Sequence, residues 1–205
     1  MCLSVGGWAV GGWAESGMKI LLASRSPRRK QLLLAAGFDF ETIEPGVEPP
    51  ASDVPARLQC IESARQKALG ADVAEQTGLL LAVDTVVSLG GHSLGKPRDA
   101  DEAARFLALL EGREHSVLTA HAHAGVERGR PGEIEVLVTE ALVFFRELTI
   151  EERASYLAAG DWRDKAGGYG IQSDASAFAR LTGGQMDTVV GLSLQALREI
   201  LSSRS

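Results

Sequence analysis

The chain has 205 residues, a net charge of −6, and 45% hydrophobic against 23% charged residues, the composition of a globular protein with enough apolar material for one sizeable core. A mean hydropathy of +0.02 and a pI near 5.3 argue against a nucleic-acid or anionic-membrane surface, and no apolar run approaches the ~20 residues that cross a bilayer. Cys2 and Cys60 are the only cysteines; far apart and without CxxC spacing, they suggest neither a disulfide framework nor a zinc site, so a reducing cytoplasm is the expected location.

Residues 1–17 (MCLSVGGWAVGGWAESG) carry VGGWA twice and lack the basic start and long apolar middle of a signal peptide, so they read as a flexible leader to a single domain over 18–205. Met18–Ala23 (MKILLA) reads as a buried strand that feeds a helix. Ser26 is its expected N-cap and Pro27 its first residue, Leu32, Leu33 and Ala36 give it an apolar face, and Gly37 stops it. Arg28, Arg29 and Lys30 crowd its first turn, where the aligned peptide dipoles already carry about half a positive charge. Cations are tolerated there when an anion shares the place, and a strand leading into a helix N-terminus is how α/β proteins hold phosphate.

Residues 40–53 form a Pro-rich acidic loop, and a helix follows from Val54 to Leu69, with Lys67 on a stripe shared with Cys60, Ala64 and Ala71. Leu79–Ser88 (LLLAVDTVVS) is an apolar strand interrupted by one acid, Asp84, whose burial is costly unless it is paired, binds a metal or faces a cleft. Gly90-Gly91 turns the chain, and Gly95-Lys96-Pro97 offers an ammonium from a rigid loop. Asp99–Glu111 is an amphipathic helix, with Asp99 and Glu102 spaced as a capping box and Ala103, Phe106, Leu107 and Leu110 on one face.

Strands near 115–123 and 133–146 come next, joined by the polar Gly125–Gly132 turn; His115, His121 and His123 fall on one face and read as exposed strand positions rather than metal ligands. Thr149 and Glu152 cap a helix that Gly160 ends. In Asp164–Gln172 (DKAGGYGIQ) glycines follow Lys165, so a ligand can approach the backbone closely. A last helix is expected over Leu192–Leu201. The pattern is α/β, with antiparallel neighbours where connections are short.

Arg28, Arg29, Lys67, Lys96 and Lys165 set five cations against one or two acids, a ratio that suits a polyphosphate with a divalent metal on the carboxylates. There is no GxSxG, HExxH, Walker A or GxGxxG sequence.

Taken in order, LASRSPRRKQLL, Lys67-Ala68, AVDTVV, GKPRDADEA, DKAGGYGIQ and VVGLSL resemble the Maf (septum-formation inhibitor) family of nucleoside triphosphate pyrophosphatases over nearly the whole chain from Met18. The resemblance implies an elongated α/β fold of the inosine-triphosphate-pyrophosphatase type, a mixed twisted sheet flanked by helices in two lobes around a deep cleft. It implies hydrolysis between the α and β phosphates, a divalent cation (Mg²⁺ or Mn²⁺) and a homodimer. By position, Asp84 resembles the family's proton acceptor, and Ser24, Arg28, Arg29, Lys67, Lys96 and Lys165 its triphosphate contacts. Arg28, Thr85 and Gln172 resemble the branch acting on dTTP and UTP.

Two departures stand out. In Gly46-Val47-Glu48-Pro49, Glu48 matches the family's Asp, but Pro49 replaces a Glu that often helps hold metal; either Glu44 or Glu48 is then the substitute beside Asp84. Met186-Asp187-Thr188 stands where an Asn is frequent. Pro49 leaves room for an alternative, a nucleotide-binding regulatory protein of cell division without turnover. A nucleic-acid-binding module conflicts with the acidic charge and the lack of aromatic–basic interleaving.

Overall fold

A computed structural model describes residues 18–49 and 54–204; the expected leader and the stretch 50–53 lie outside them. One eight-stranded sheet organises these residues, in the order β2-β1-β3-β5-β7-β8, with β4 beside β3 and β6 beside β5. The strands are β1 (Ile20–Ala23), β2 (Phe40–Ile43), β3 (Gly78–Leu89), β4 (His92–Leu94), β5 (Glu114–Glu127), β6 (Arg130–Pro131), β7 (Glu135–Phe145) and β8 (Ala179–Gly183). The helices are α1 (Pro27–Ala35), α2 (Ala56–Leu69), α3 (Ala100–Leu110), α4 (Ile150–Ala159), α5 (Met186–Val190) and α6 (Leu194–Ser202). β1 runs parallel to both β2 and β3, whereas β3-β5-β7-β8 is antiparallel throughout, so the sheet is mixed as expected.

Strand alternation sends successive side chains to opposite faces, and both faces of the parallel end are covered. Ile20, Leu22, Leu79 and Leu81 pack with Leu33 of α1 and Leu197 and Ile200 of α6. Leu21, Ala23, Leu80 and Ala82 pack on the other side with Cys60, Ala64 and Ala68 of α2. The antiparallel end carries a third cluster, where Leu107, Leu110, Val143, Tyr156, Trp162 and Phe178 surround Phe145. Phe145 meets Tyr169 edge-on at 4.7 Å and Phe178 at 5.2 Å, the geometry that aromatic quadrupoles favour. These clusters give the two lobes.

The helix ends follow their sequence signals. Gly37 adopts a φ of 75° just past α1, where a side chain would be strained. Thr149 and Glu152 complete a reciprocal capping box on α4. On α3 Asp99 accepts from the Glu102 N–H at 2.8 Å, but the Glu102 carboxylate turns to Arg98, accepting from its backbone N–H at 2.8 Å and its guanidinium at 2.9 Å. A charged fork outcompetes the second half of the box.

Two expectations need correction. The expected loop over 40–53 opens with a strand, because Phe40–Ile43 pairs in parallel with β1. The last helix forms as expected, as α6 with Ser193 as its N-cap, and the short α5 precedes it, stopping before Gly191. Asp187 makes the join, accepting from its neighbour Thr188 N–H at 2.7 Å and from Leu194 N–H at 2.8 Å, so the departure at 186–188 is a packing solution. The three strand histidines are buried rather than exposed, because packing covers that face of β5. His121 Nε2 accepts from Ser193 N–H at 2.9 Å, so Nδ1 carries the proton towards Leu137 O at 3.3 Å. His115 Nε2 pairs with Tyr169 OH at 2.8 Å. Burial pushes both rings down to about 4, and among the described residues no three His, Cys, Asp or Glu side chains group as a metal site.

Candidate active site

β1 ends at Ala23, opposite Ala82, and β3 meets β4 only from Val87 onward, where Val87 lies opposite Leu94. Residues 83–86 of β3 therefore pair with β5 alone, and their other edge is open. A cleft of about 1100 Å³ fills that gap. One wall is the β1–α1 turn, residues 45–48 and the flank of α2; the other is Gly95-Lys96 and the segment from Asp161 to Ser173. This is the carboxyl end of the parallel strands, where a helix N-terminus and open backbone converge on a ligand. Every residue expected at the site lines it: Ser24, Arg28, Arg29, Glu48, Lys67, Asp84, Thr85, Lys96, Lys165 and Gln172.

Asp84 is 6% exposed, and Lys67, from the last turn of α2, donates to its Oδ1 at 2.5 Å. The same ammonium lies 3.2 Å from Glu48 Oε2. Burial pushes the Asp84 carboxyl above its ordinary value, and the charges of Lys67 and then Arg29 pull it back down. Glu48 owes its place to a close backbone approach. Gly46 N–H donates to Lys67 O at 2.9 Å, and a Cβ on Gly46 would stand 2.7 Å from Gly70 Cα. Glu44 instead pairs with Arg25, so of the two acids left open by Pro49 only Glu48 reaches the Lys67–Asp84 pair.

The two arginines of α1 have different fates. Arg29 turns inward: Nε donates to Gly191 O at 2.7 Å, and its two terminal nitrogens donate to Ser24 Oγ at 3.0 Å and Thr85 Oγ1 at 3.2 Å. Thr85 Oγ1 lies 3.0 Å from Thr119 Oγ1, whose own proton goes to Thr188 O at 2.8 Å. A hydroxyl has one proton, so the chain has one direction: Arg29 gives to Thr85, Thr85 to Thr119, Thr119 to the backbone. Thr85 is left with a lone pair on the cleft side that can take a hydrogen bond from a donor and give none. Arg28 stays near the surface, its contact to Asp164 O long at 3.4 Å.

Lys96 and Gln172 are exposed at the far wall. Lys165 is held by Asp161 through both the main-chain carbonyl and the carboxylate. Gly167, at φ 67°, brings its backbone N–H to Gly95 O at 2.9 Å, and a Cβ there would press on Val87 at 2.7 Å, so glycine ties the Lys165 segment to the Lys96 turn. Asp161, Tyr169 and Ser63 are cleft residues that the sequence reading did not single out. The signal for Asp161 was an acid four places before Lys165, hidden because Gly160 ends the helix before both, so the spacing has no helical period to read.

The donor set suits a hard divalent cation. Two carboxylates, Asp84 and Glu48, meet at one ammonium, and one or two carboxylates with phosphate oxygens and water are how Mg²⁺ is usually bound at nucleotides.

A family model described as Maf-like protein matches residues 19–204. The chain belongs to that family. This Maf-like protein is 42% identical over 190 residues to the dTTP/UTP pyrophosphatase of Cereibacter sphaeroides, covering 91% of this chain and 95% of that one. It is 40% identical over 185 residues to the enzyme of the same name from Salmonella typhimurium, covering 89% and 91%, and to that from Thermus thermophilus, covering 90% and 94%. Among solved structures, a HAM1 protein from Coxiella burnetii covers 91% of this chain and 99% of its own at 16% identity, with a TM-score of 0.45, too loose a match to argue from.

Proposed function

We propose that this Maf-like protein hydrolyses dTTP and UTP to the monophosphate and pyrophosphate in a divalent-cation-dependent reaction. The observation that carries the reading is Asp84: an acid buried where the sheet opens, held by Lys67, lining one cleft with the N-terminus of α1, in a chain about 40% identical to dTTP/UTP pyrophosphatases along most of its length.

In this reading Asp84 orients a water and takes its proton as the water oxygen attacks the α-phosphorus, and the bond from that phosphorus to the bridging oxygen breaks. Arg28, Lys67, Lys96 and Lys165 gather the charge that builds on the departing pyrophosphate, with the N–H groups of the first turn of α1. Arg29 keeps Ser24 and Thr85 in place. Asp84 and Glu48 would hold Mg²⁺ or Mn²⁺, which when bound would help neutralise the phosphates and make water more acidic. Thymine and uracil present an imino N–H where cytosine presents a lone pair; the acceptor-only hydroxyl of Thr85 and the amide of Gln172 suit that pattern. The reading extends to a homodimer in the cytoplasm that binds neither nucleic acid nor membrane. The net charge of −6 supports the lack of a nucleic-acid or anionic-membrane partner.

Pyrophosphate release across a panel of triphosphates with Mg²⁺ and Mn²⁺ is the test. Release is expected with dTTP and UTP, and Asp84→Asn is expected to lower it at least ~100-fold with the fold intact. Binding without release would instead favour the regulatory alternative.

A further inference from the structure

Asp161 lines the cleft and yet has no part in the chemistry above. An acid beside a triphosphate repels it, so its presence needs a reason. The turn after α4 fixes its backbone: Gly160 is left-handed at φ 73°, and the buried Trp162 donates its indole N–H to Leu157 O at 3.1 Å. One carboxylate oxygen, Oδ2, accepts from Ser173 Oγ at 2.6 Å and lies 3.4 Å from Tyr156 OH. Tyr156 in turn donates to Gly168 O at 3.0 Å. The other oxygen, Oδ1, takes the Lys165 ammonium, which also donates to Asp161's own carbonyl.

Asp161 therefore grips both ends of the glycine-rich segment. Lys165 opens it, and Ser173 closes it next to Gln172. The wrap is tight: a Cβ on Gly170 would lie 2.5 Å from Ser173 Oγ and 2.8 Å from Lys165 Cε. An ammonium has three N–H groups, and Asp161 occupies two of those on Lys165. One remains.

We propose that Asp161 is a positioning residue that fixes the Lys165 ammonium at the cleft wall with a single N–H left for a phosphoryl oxygen. The proposal rests on the triphosphate reading for the class of ligand alone. A carboxylate acting only as a bystander would oppose a polyanion, and neutralising it would strengthen binding. A positioning carboxylate predicts the opposite sign.

The test is calorimetric binding of inorganic pyrophosphate with Mg²⁺ to the full chain, with dTTP turnover followed in parallel. Asp161→Asn and Lys165→Met are each expected to weaken binding about 10-fold, the loss of one charge-assisted hydrogen bond. The double variant is expected to be no weaker than either single one, and Asp161→Glu to restore most of the affinity. Unchanged or tighter binding by Asp161→Asn would overturn the proposal, as would additive losses in the double variant or no pyrophosphate binding by the parent. Should Asp161→Asn fail to fold, Asp161→Glu against Lys165→Met decides: a Glu variant as weak as the Met variant would overturn it. Turnover judges the other question, because a parent that binds pyrophosphate but releases none from any triphosphate would sink the proposed reaction and leave the clamp standing.

Discussion

Lys67 donates to Asp84 across 2.5 Å, from the last turn of α2 to the unpaired edge of β3. Burial and this ammonium act on the carboxyl in opposite directions, and burial prevails. Asp84 works as the anion, so the acid limb of kcat/KM is expected above the ordinary carboxylate range. Lys67→Met removes the lowering charge and should move that limb further up. A pH–rate profile decides it; an acid limb that stays put or moves down contradicts the pairing.

Arg29→Lys is not conservative here. A lysine lacks the planar fork that serves Gly191, Ser24 and Thr85 together. With the donor to Thr85 gone, the hydroxyl is held from the Thr119 side alone, and its remaining lone pair is no longer fixed in its aim at a ligand donor. We expect about a 10-fold loss in kcat/KM for dTTP, with a smaller loss for CTP, so that discrimination narrows. Steady-state kinetics with both nucleotides measures this, and an unchanged ratio counts against it.

Gly46→Ala tests the support beneath Glu48. The added methyl would stand 2.4 Å from Gln66 O, which is backbone and has nowhere to go, so the loop must lift from α2 and carry Glu48 off the Lys67–Asp84 pair. The Mg²⁺ concentration for half-maximal activity is expected to rise about 10-fold, as when the support of a metal ligand is lost. Titration of Mg²⁺ at saturating dTTP reads the effect.

The buried histidines make stability depend on pH. His115 and His121 titrate near 4 when folded and near 6.5 when unfolded, so between those values the unfolded chain holds the extra protons. Their contribution is complete above pH 6.5 and is lost as pH falls towards 4. Each costs about 2 kcal/mol between pH 7 and 5. Urea unfolding at the two pH values should show that loss, and His121→Gln, whose amide oxygen still accepts from Ser193, should flatten the slope by one histidine's share.

What the sequence revealed depended on how local the cause was. The strand around Asp84 was legible because one acid in LLLAVDTVVS contradicts its surroundings, and the box of Thr149 and Glu152 because both partners sit within one turn. Arg28 and Arg29 were inseparable. They are identical neighbours, and what divides them is the Gly191 carbonyl, 162 positions away. The burial of His115, His121 and His123 was equally hidden, since an alternating strand looks the same until something packs on it. Asp161 was missed because irregular backbone, with no period to read, delivers Lys165 and Ser173 to it.

The ladder between β3 and β5 runs unbroken from Gly78↔Val126 to Ser88↔Ser116, beneath both walls of the cleft. Two halves that share a continuous floor cannot swing about a soft joint. Closing on a nucleotide by a hinge would require bending paired strands in mid-sheet, so the width of the groove is settled when the chain folds. Adaptation to one guest or another falls to what stands on the rim: the ends of lysines, and the short glycine-bearing stretch that Asp161 fastens.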